Sequence, residues 1–369
     1  MERLLNEDEE AIEKVIKITE CRYETGFPYM FFKDTVNKNT VDVYKDKLKT
    51  IWHSNMCHEI CLPNNPEETF VCNLLGMNIE RFDEWKDTDA IELGIYFMDA
   101  MLTDFINKNS YSESDSTDDK KDKFLMQNAV NFAAKHRAMG MGASGYHNYL
   151  QANNIAFESF DAKLKNVEIF KTIKQQAYAA SKKMALEFGK PEMLKEDKYT
   201  RRHTTLLAVA PNTSSSFIMG QQSQSIEPHV SNYYIKDTAK YRGAVKNKFL
   251  DKLLTSIGKN TDEVWSSILK KNGSVQHLDF LTDHDKKVFK TFEEISQLEV
   301  LIQASARQRH IDQSQSLNLM IPEGTPPEEV VYLMLKAWKL GVKTLYYQLN
   351  VSAVQQFGKS LSECESCAG

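Results

Sequence analysis

The segment SNMCHEI, residues 54–60, sets an amide, a thiol and a carboxylate two residues apart: Asn55, Cys57 and Glu59. Side chains alternate faces along an extended segment. A strand here would point these three one way, and Met56, His58 and Ile60 the other. One face would then present a hydrogen-bond donor and acceptor, a sulfur and a base together. The same pattern suits a buried Cys flanked by polar neighbours, because a free Cys packs as a small hydrophobe. Further along, PNTSSSF opens with Pro211, Asn212, Thr213, Ser214 and Ser215. Bare amides at a helix start bind anions, although Ser and Thr are also ordinary N-caps. LYYQ holds Tyr346 and Tyr347, which suit aromatic packing in a sheet. CESC holds Cys364 and Cys367, either a redox pair on a tether or two thiols on a frayed end.

The elements that must position these groups read as an α/β chain. Its 369 residues suffice for a substantial core, and a formal charge of −5 gives no basic footprint for a nucleic-acid polymer. The opening MERLLNEDEEAIEKVIKI is charged and helix-patterned, without a signal-peptide core, and no run approaches membrane-spanning length. A soluble, cytoplasmic protein is expected. The six cysteines are sparse, and no disulfide framework is expected in a reducing compartment. No histidine follows His310, so Cys364 and Cys367 lack the further ligands of a zinc site.

Residues 1–25 pattern as an amphipathic helix, PYMFFKD as a short strand, and 88–107 as a helix. The polar stretch 107–123 is expected to be a surface loop or disordered insertion. Gly140, Gly142 and Gly145 suggest close backbone approach and no phosphate loop, since no Lys follows. A long helix covers 158–188, TTLLAVA (204–210) is a buried strand, and a further helix spans about 291–308. Pro326-Pro327 then opens EEVVYLMLKAWKLG, followed by the strand VKTLYYQLNV. Strand, helix and strand in that order imply a parallel pair.

Taken together and in order, SNMCHEI, HRAMGMGASGYHNYL, LLAVAPNTSSSF with SIEP downstream, RHIDQSQSLN, GVKTLYYQ and a terminal Cys pair resemble class I ribonucleotide reductase. The resemblance is to the large, catalytic subunit in a phage-like or bacterial form, from about residue 20 onward. It implies reduction of ribonucleoside diphosphates by thiyl-radical chemistry. Cys57 matches the finger-loop cysteine that abstracts the 3′-hydrogen, Glu59 the carboxylate that takes the 3′-hydroxyl proton, and Asn55 the amide that holds the substrate hydroxyls. Cys72 matches one member of the reducing pair, and Pro211 to Ser215 the loop that holds the diphosphate. Tyr346 and Tyr347 match the stacked radical relay. Cys364 and Cys367 match the tail that re-reduces the site and is recharged by thioredoxin or glutaredoxin.

The family's catalytic subunit is about twice as long, and the part without a counterpart is its N-terminal half, with the allosteric sites and the other cysteine of the reducing pair. The expected architecture is the C-terminal half of a ten-stranded α/β barrel over 1–354, with a finger loop at about 50–62 and a flexible redox tail over 355–369. Such a half would leave strand edges and apolar surface open. It is therefore expected to need an N-terminal-half chain, and a small subunit holding a metal-based radical centre. No cofactor is expected on this chain itself. Two alternatives stay open: a substitute reducing pair of Cys61 with Cys72, and a non-catalytic remnant that binds nucleotide or the small subunit. The tyrosine pair argues against the adenosylcobalamin-dependent class, which needs no long-range relay.

Overall fold

A computed structural model describes residues 1–220, 223–238, 241–322 and 324–349. Cys364, Cys367 and the tail expected over 355–369 lie outside the described residues. A short helix at Glu2–Leu5 is separated by Asn6–Asp8 from α1 (Glu9–Thr25), so residues 1–25 are not one helix; α1 is capped where Asp8 accepts the Ala11 amide at 2.9 Å and ended by Gly26 at φ 79°. After β1 (Met30–Phe31) a long connection carries the 54–60 segment to β2 (Leu74–Asn78). Next come α2 (Ala90–Asn109), α3 (Thr117–His136), β3 (Gly140–Ser144) and α4 (Phe160–Phe188). A short α5 (Thr213–Ile218) precedes the hairpin β4 (Tyr233–Thr238) and β5 (Tyr241–Lys246). The chain continues through α6 (Gln297–Gln308), β6 (Leu319–Met320) and α7 (Pro327–Lys339) to β7 (Thr344–Leu345) and β8 (Gln348–Leu349).

Extended segments line up side by side as part of a barrel wall. β2 runs parallel to β3 from Leu74↔Gly140 to Asn78↔Ser144. A parallel bridge joins Met141 to Leu207, and another joins Val209 to Gln315. β6 is parallel to β8, as the strand–helix–strand order requires, and β7 is antiparallel to β1. The order is therefore β2, β3, 205–209, 313–320, 344–349, β1. Among the described residues β2 is paired on one side only. TTLLAVA is buried and extended as expected, held by single bridges and amide bonds such as Val209 N–H to the Ser314 carbonyl at 3.0 Å.

The glycines of β3 explain how closely this wall packs. A Cβ at Gly140 would sit 2.7 Å from Ala208 Cβ and Leu74 Cδ2, and one at Gly142 would strike the Ala208 carbonyl. Outside the wall, α4 packs on α2 and α6 and buries Ile169, Phe170, Ile173, Ala177 and Met184. Burying such aliphatic and aromatic side chains stabilises by about 1.5–3 kcal/mol each, which fixes the wall from behind.

Two expectations need correction. The 107–123 stretch is loop only between Ser110 and Ser116, because Ser116 and Asp119 form a capping box that starts α3 at Thr117. The 54–60 segment is not a strand. The His58 N–H reaches the Asn55 carbonyl at 3.2 Å, and His58 sits at φ 65°, so the chain turns at Met56–Cys57.

Candidate active site

The turn performs what a strand's alternation was expected to do. Asn55 Nδ2 donates to Glu59 Oε1 at 2.9 Å, while Asn55 Oδ1 accepts the Ile60 amide at 3.0 Å. A single Asn thus closes the loop on itself and orients the carboxylate. The loop then leans on the 313–316 strand. Ser314 N–H donates to the Glu59 carbonyl at 2.9 Å, and the Gln313 side chain accepts the Cys61 amide at 3.1 Å. Ser316 Oγ lies 2.5 Å from the Cys57 carbonyl and 3.0 Å from Glu59 Oε2.

Glu59 is almost completely buried, and burial pushes its carboxyl above the ordinary range. Its own backbone amide, Asn55 and Ser316 pull the other way by hydrogen-bonding the charged form. Cys57 is half-buried and lies near enough to Tyr346 for its charge to act on the phenol. Burial, followed by the charges of Cys57, Tyr29 and Tyr347, drives the Tyr346 phenol far above its ordinary value. It is therefore a neutral hydrogen donor at any physiological pH. The Tyr346 and Tyr347 rings stand 4.3 Å apart at 62°. Asn318 holds the backbone of the pair, its Oδ1 accepting the Tyr347 amide at 3.0 Å.

Cys72 opens to solvent just before β2, yet its thiol is pushed up to about 12 by surrounding protein and then by the charges of Glu59 and Cys57. It faces the same centre. Cys61 sits in different surroundings, buried beside Lys343 and Ser314 and also pushed up to about 12. Both are free thiols. Residues Pro211 to Ser215 leave the 205–209 strand at the end where Ser316 N–H donates to the Val209 carbonyl, 2.9 Å. Asn212 takes φ 51° and turns its amide to the Ala143 carbonyl at 3.0 Å, while Ser214 and Ser215 stay exposed.

The structure therefore brings together Asn55, Cys57, Glu59, Tyr346 and Tyr347, with Cys72 at their edge. It adds two groups that sequence reasoning left unassigned. Ser316 lies in SQSLN, where polar residues persist through a fully buried strand, and that persistence was a usable signal. Tyr29 lies in PYMFF and gave none, since an aromatic in an apolar run reads as packing. Among the described residues no group of three or more His, Cys, Asp or Glu is placed to hold a metal ion. No helix there is long and apolar enough to cross a membrane.

The profile of the family described as ribonucleotide reductase, barrel domain, matches residues 4–203 and 192–348. The ribonucleoside-diphosphate reductase large subunit of Invertebrate iridescent virus 3 is 38% identical over 352 residues, 91% of this chain and 53% of that protein. That of Danio rerio is 31% identical over 90% of this chain and 44% of that protein. Among solved structures, the Actinobacillus ureae class Id ribonucleotide reductase alpha subunit superposes with a TM-score of 0.87 at 47% identity, covering 98% of this chain and 64% of that one. The chain thus spans between 44% and 64% of the length of these relatives. With the barrel wall and the loop at its centre described above, the chain belongs to the ribonucleotide reductase family, as part of the large subunit's barrel domain.

Proposed function

We propose that this chain supplies the thiyl-radical centre of a ribonucleoside-diphosphate reductase. The observation that carries the reading is the turn that bears Cys57, closed by the hydrogen-bonded Asn55–Glu59 pair and held by Ser316 to both the Cys57 carbonyl and the Glu59 carboxylate. A hydrogen atom leaves Cys57 for an oxidised Tyr346, and the resulting thiyl radical takes the 3′-hydrogen of the ribose. Glu59 accepts the 3′-hydroxyl proton and Asn55 holds the hydroxyls, so that the 2′-hydroxyl departs as water. General-base work of this kind needs reach of roughly 2.6–3.2 Å, and a buried, raised carboxyl suits a group that must both take and return a proton. Cys72 with a second thiol then gives up two hydrogens and closes a disulfide. Residues Pro211 to Ser215 hold the diphosphate. Cys364 and Cys367 regenerate the dithiol by exchange, with thioredoxin or glutaredoxin as the final reductant.

The second thiol belongs to the remaining part of a large subunit. The one-sided pairing of β2 supports this, because an unpaired parallel-sheet edge invites a further strand. A small subunit would supply the radical from a metal-based centre. The experiment is to recover the tagged chain from its host, identify what co-purifies, and assay diphosphate reduction in that assembly with Cys57→Ser as control. An upstream large-subunit chain near one-to-one, and product formation abolished by Cys57→Ser, is the expected result. A chain recovered alone, or an assembly whose activity survives Cys57→Ser, refutes the reading.

A further inference from the structure

The loop assigned to the diphosphate is pinned at both ends to one stretch of chain, the end of β3 and the helix Tyr146–Ala152 that follows it. At the loop's start Asn212 donates to the Ala143 carbonyl at 3.0 Å. Its amide also lies so close to β2 that a Cβ at Gly76 would come within 3.1 Å of Asn212 Nδ2. At the loop's return Ser223 is buried against the same stretch. Gly145, turning the chain at φ 83°, donates its amide to the Ser223 carbonyl at 2.9 Å. The Ser223 hydroxyl accepts the His147 amide at 3.1 Å, and the Ser223 amide donates to Asn148 Oδ1 at 2.8 Å.

Asn148 joins this return to the rest of the wall. Its Nδ2 donates to Glu80 Oε2 at 2.7 Å, just beyond β2, and Lys248 holds the two Glu80 oxygens at 2.5 and 2.7 Å. A carboxylate only accepts, so Glu80 decides which end of the Asn148 amide faces it. The oxygen is left for Ser223 and for His229, whose Nε2 lies 2.7 Å away and therefore carries the ring proton. The His229 amide donates in turn to His147 Nδ1 at 2.9 Å. Burial, with Lys248 close by, lowers the His229 ring to about 4, so it stays neutral with its one proton on the side of Asn148.

We infer that Asn148 is a positioning residue for the substrate diphosphate: by locking the return of the loop at Ser223 and His229, it holds Pro211 to Ser215 in one receiving conformation. This rests on the reading of Pro211 to Ser215 given above. Asn148 itself is buried behind the loop and acts through it. A loop already ordered before its ligand arrives does not charge that ordering against binding. The contribution of Asn148 therefore falls on affinity for the phosphates and not on the radical step.

The test is Asn148→Ala in the chain assembled with the rest of the large subunit and the radical-generating subunit. The KM for the ribonucleoside diphosphate should rise roughly tenfold, the scale of one lost buried hydrogen bond, with kcat unchanged. Competitive inhibition separates this role from a general loosening of the site. The inhibition constant of a deoxynucleoside diphosphate should rise by the same factor, and that of the deoxynucleoside without phosphates should not move. Ser223→Ala removes only the hydroxyl and keeps the backbone bonds, so it should shift the same constants in the same sense by a smaller factor. It decides the question if Asn148→Ala does not assemble. Unchanged constants in the variant that assembles overturn the proposal. So does an equal rise for the deoxynucleoside and its diphosphate, which marks a merely structural role, and so does a fall in kcat at unchanged KM. If the unaltered assembly binds the deoxynucleoside as tightly as its diphosphate, it is the reading of Pro211 to Ser215 that fails.

Discussion

Ser316→Ala isolates how this site balances a buried carboxylate. The Ser316 hydroxyl has one proton and faces two acceptors, the Cys57 carbonyl at 2.5 Å and Glu59 Oε2 at 3.0 Å. Its strand is otherwise secured by the backbone bond to Val209, which alanine keeps. A hydrogen bond to a charged group contributes about 1.5–3 kcal/mol, and tenfold in rate corresponds to about 1.4 kcal/mol. Removing the donor disfavours the ionised form of Glu59, whose carboxyl burial has already raised. The acid limb of kcat/KM against pH should therefore move to higher pH, with a loss of roughly ten- to a hundredfold on that limb. The same change is readable in the chain alone. A carboxyl raised on folding contributes stability that is complete below its unfolded pKa and lost as pH rises through the folded value. Ser316→Ala should thus cost little in denaturant unfolding at acid pH and about 1.5–3 kcal/mol once Glu59 is ionised. An unmoved acid limb, or a cost independent of pH, would refute the reasoning.

Two further outcomes follow from titratable groups whose surroundings raise their pKa. Glu227, in the SIEP segment, is pushed up to about 8 by burial, against the opposing pull of Asn318. The folded chain keeps this proton while the unfolded chain releases it above 4.5, so stability drains between those values as pH rises. Glu227→Gln should abolish that part of the slope and gain roughly 3–5 kcal/mol on the parent by pH 8, measured by urea unfolding across the window. Cys72, exposed yet raised to about 12, should react with iodoacetamide at neutral pH roughly a thousandfold more slowly than a peptide thiol. Peptide mass mapping reads the rate, and Glu59→Gln should speed it by removing one of the charges that oppose the thiolate.

The long helices were legible because local signals agree there. The apolar period and the Ser159 cap mark α4 within two residues of its expected start, and Pro327 marks the start of α7. The close approach at Gly140 and Gly142 was also legible, since glycines within a strand have few other uses. The polar run 107–123 misled because its composition hid a capping box. The 54–60 turn misled because alternation of polarity is a necessary sign of a strand and not a sufficient one. In a strand Asn55 and Glu59 would share a face yet lie about 13 Å apart, and only the turn brings them into contact, so the right residues emerged from the wrong local geometry. The polar run around Ser316 could flag it, but neither Ser316 nor Tyr29 shows in the sequence what it touches. Their roles exist only through contacts with residues 257 positions away for Ser316 and Glu59, and with Tyr346 and Tyr347 at the far end of the described chain for Tyr29.

That separation bears on when the centre comes into being. Arg22 reaches the Tyr346 carbonyl across 324 positions, and closing a loop of that length costs about 5 kcal/mol of chain entropy. Under the proposed reading, the groups of the centre meet only when segments at opposite ends of the described chain have closed on each other, so the centre comes into being with the fold and not before it.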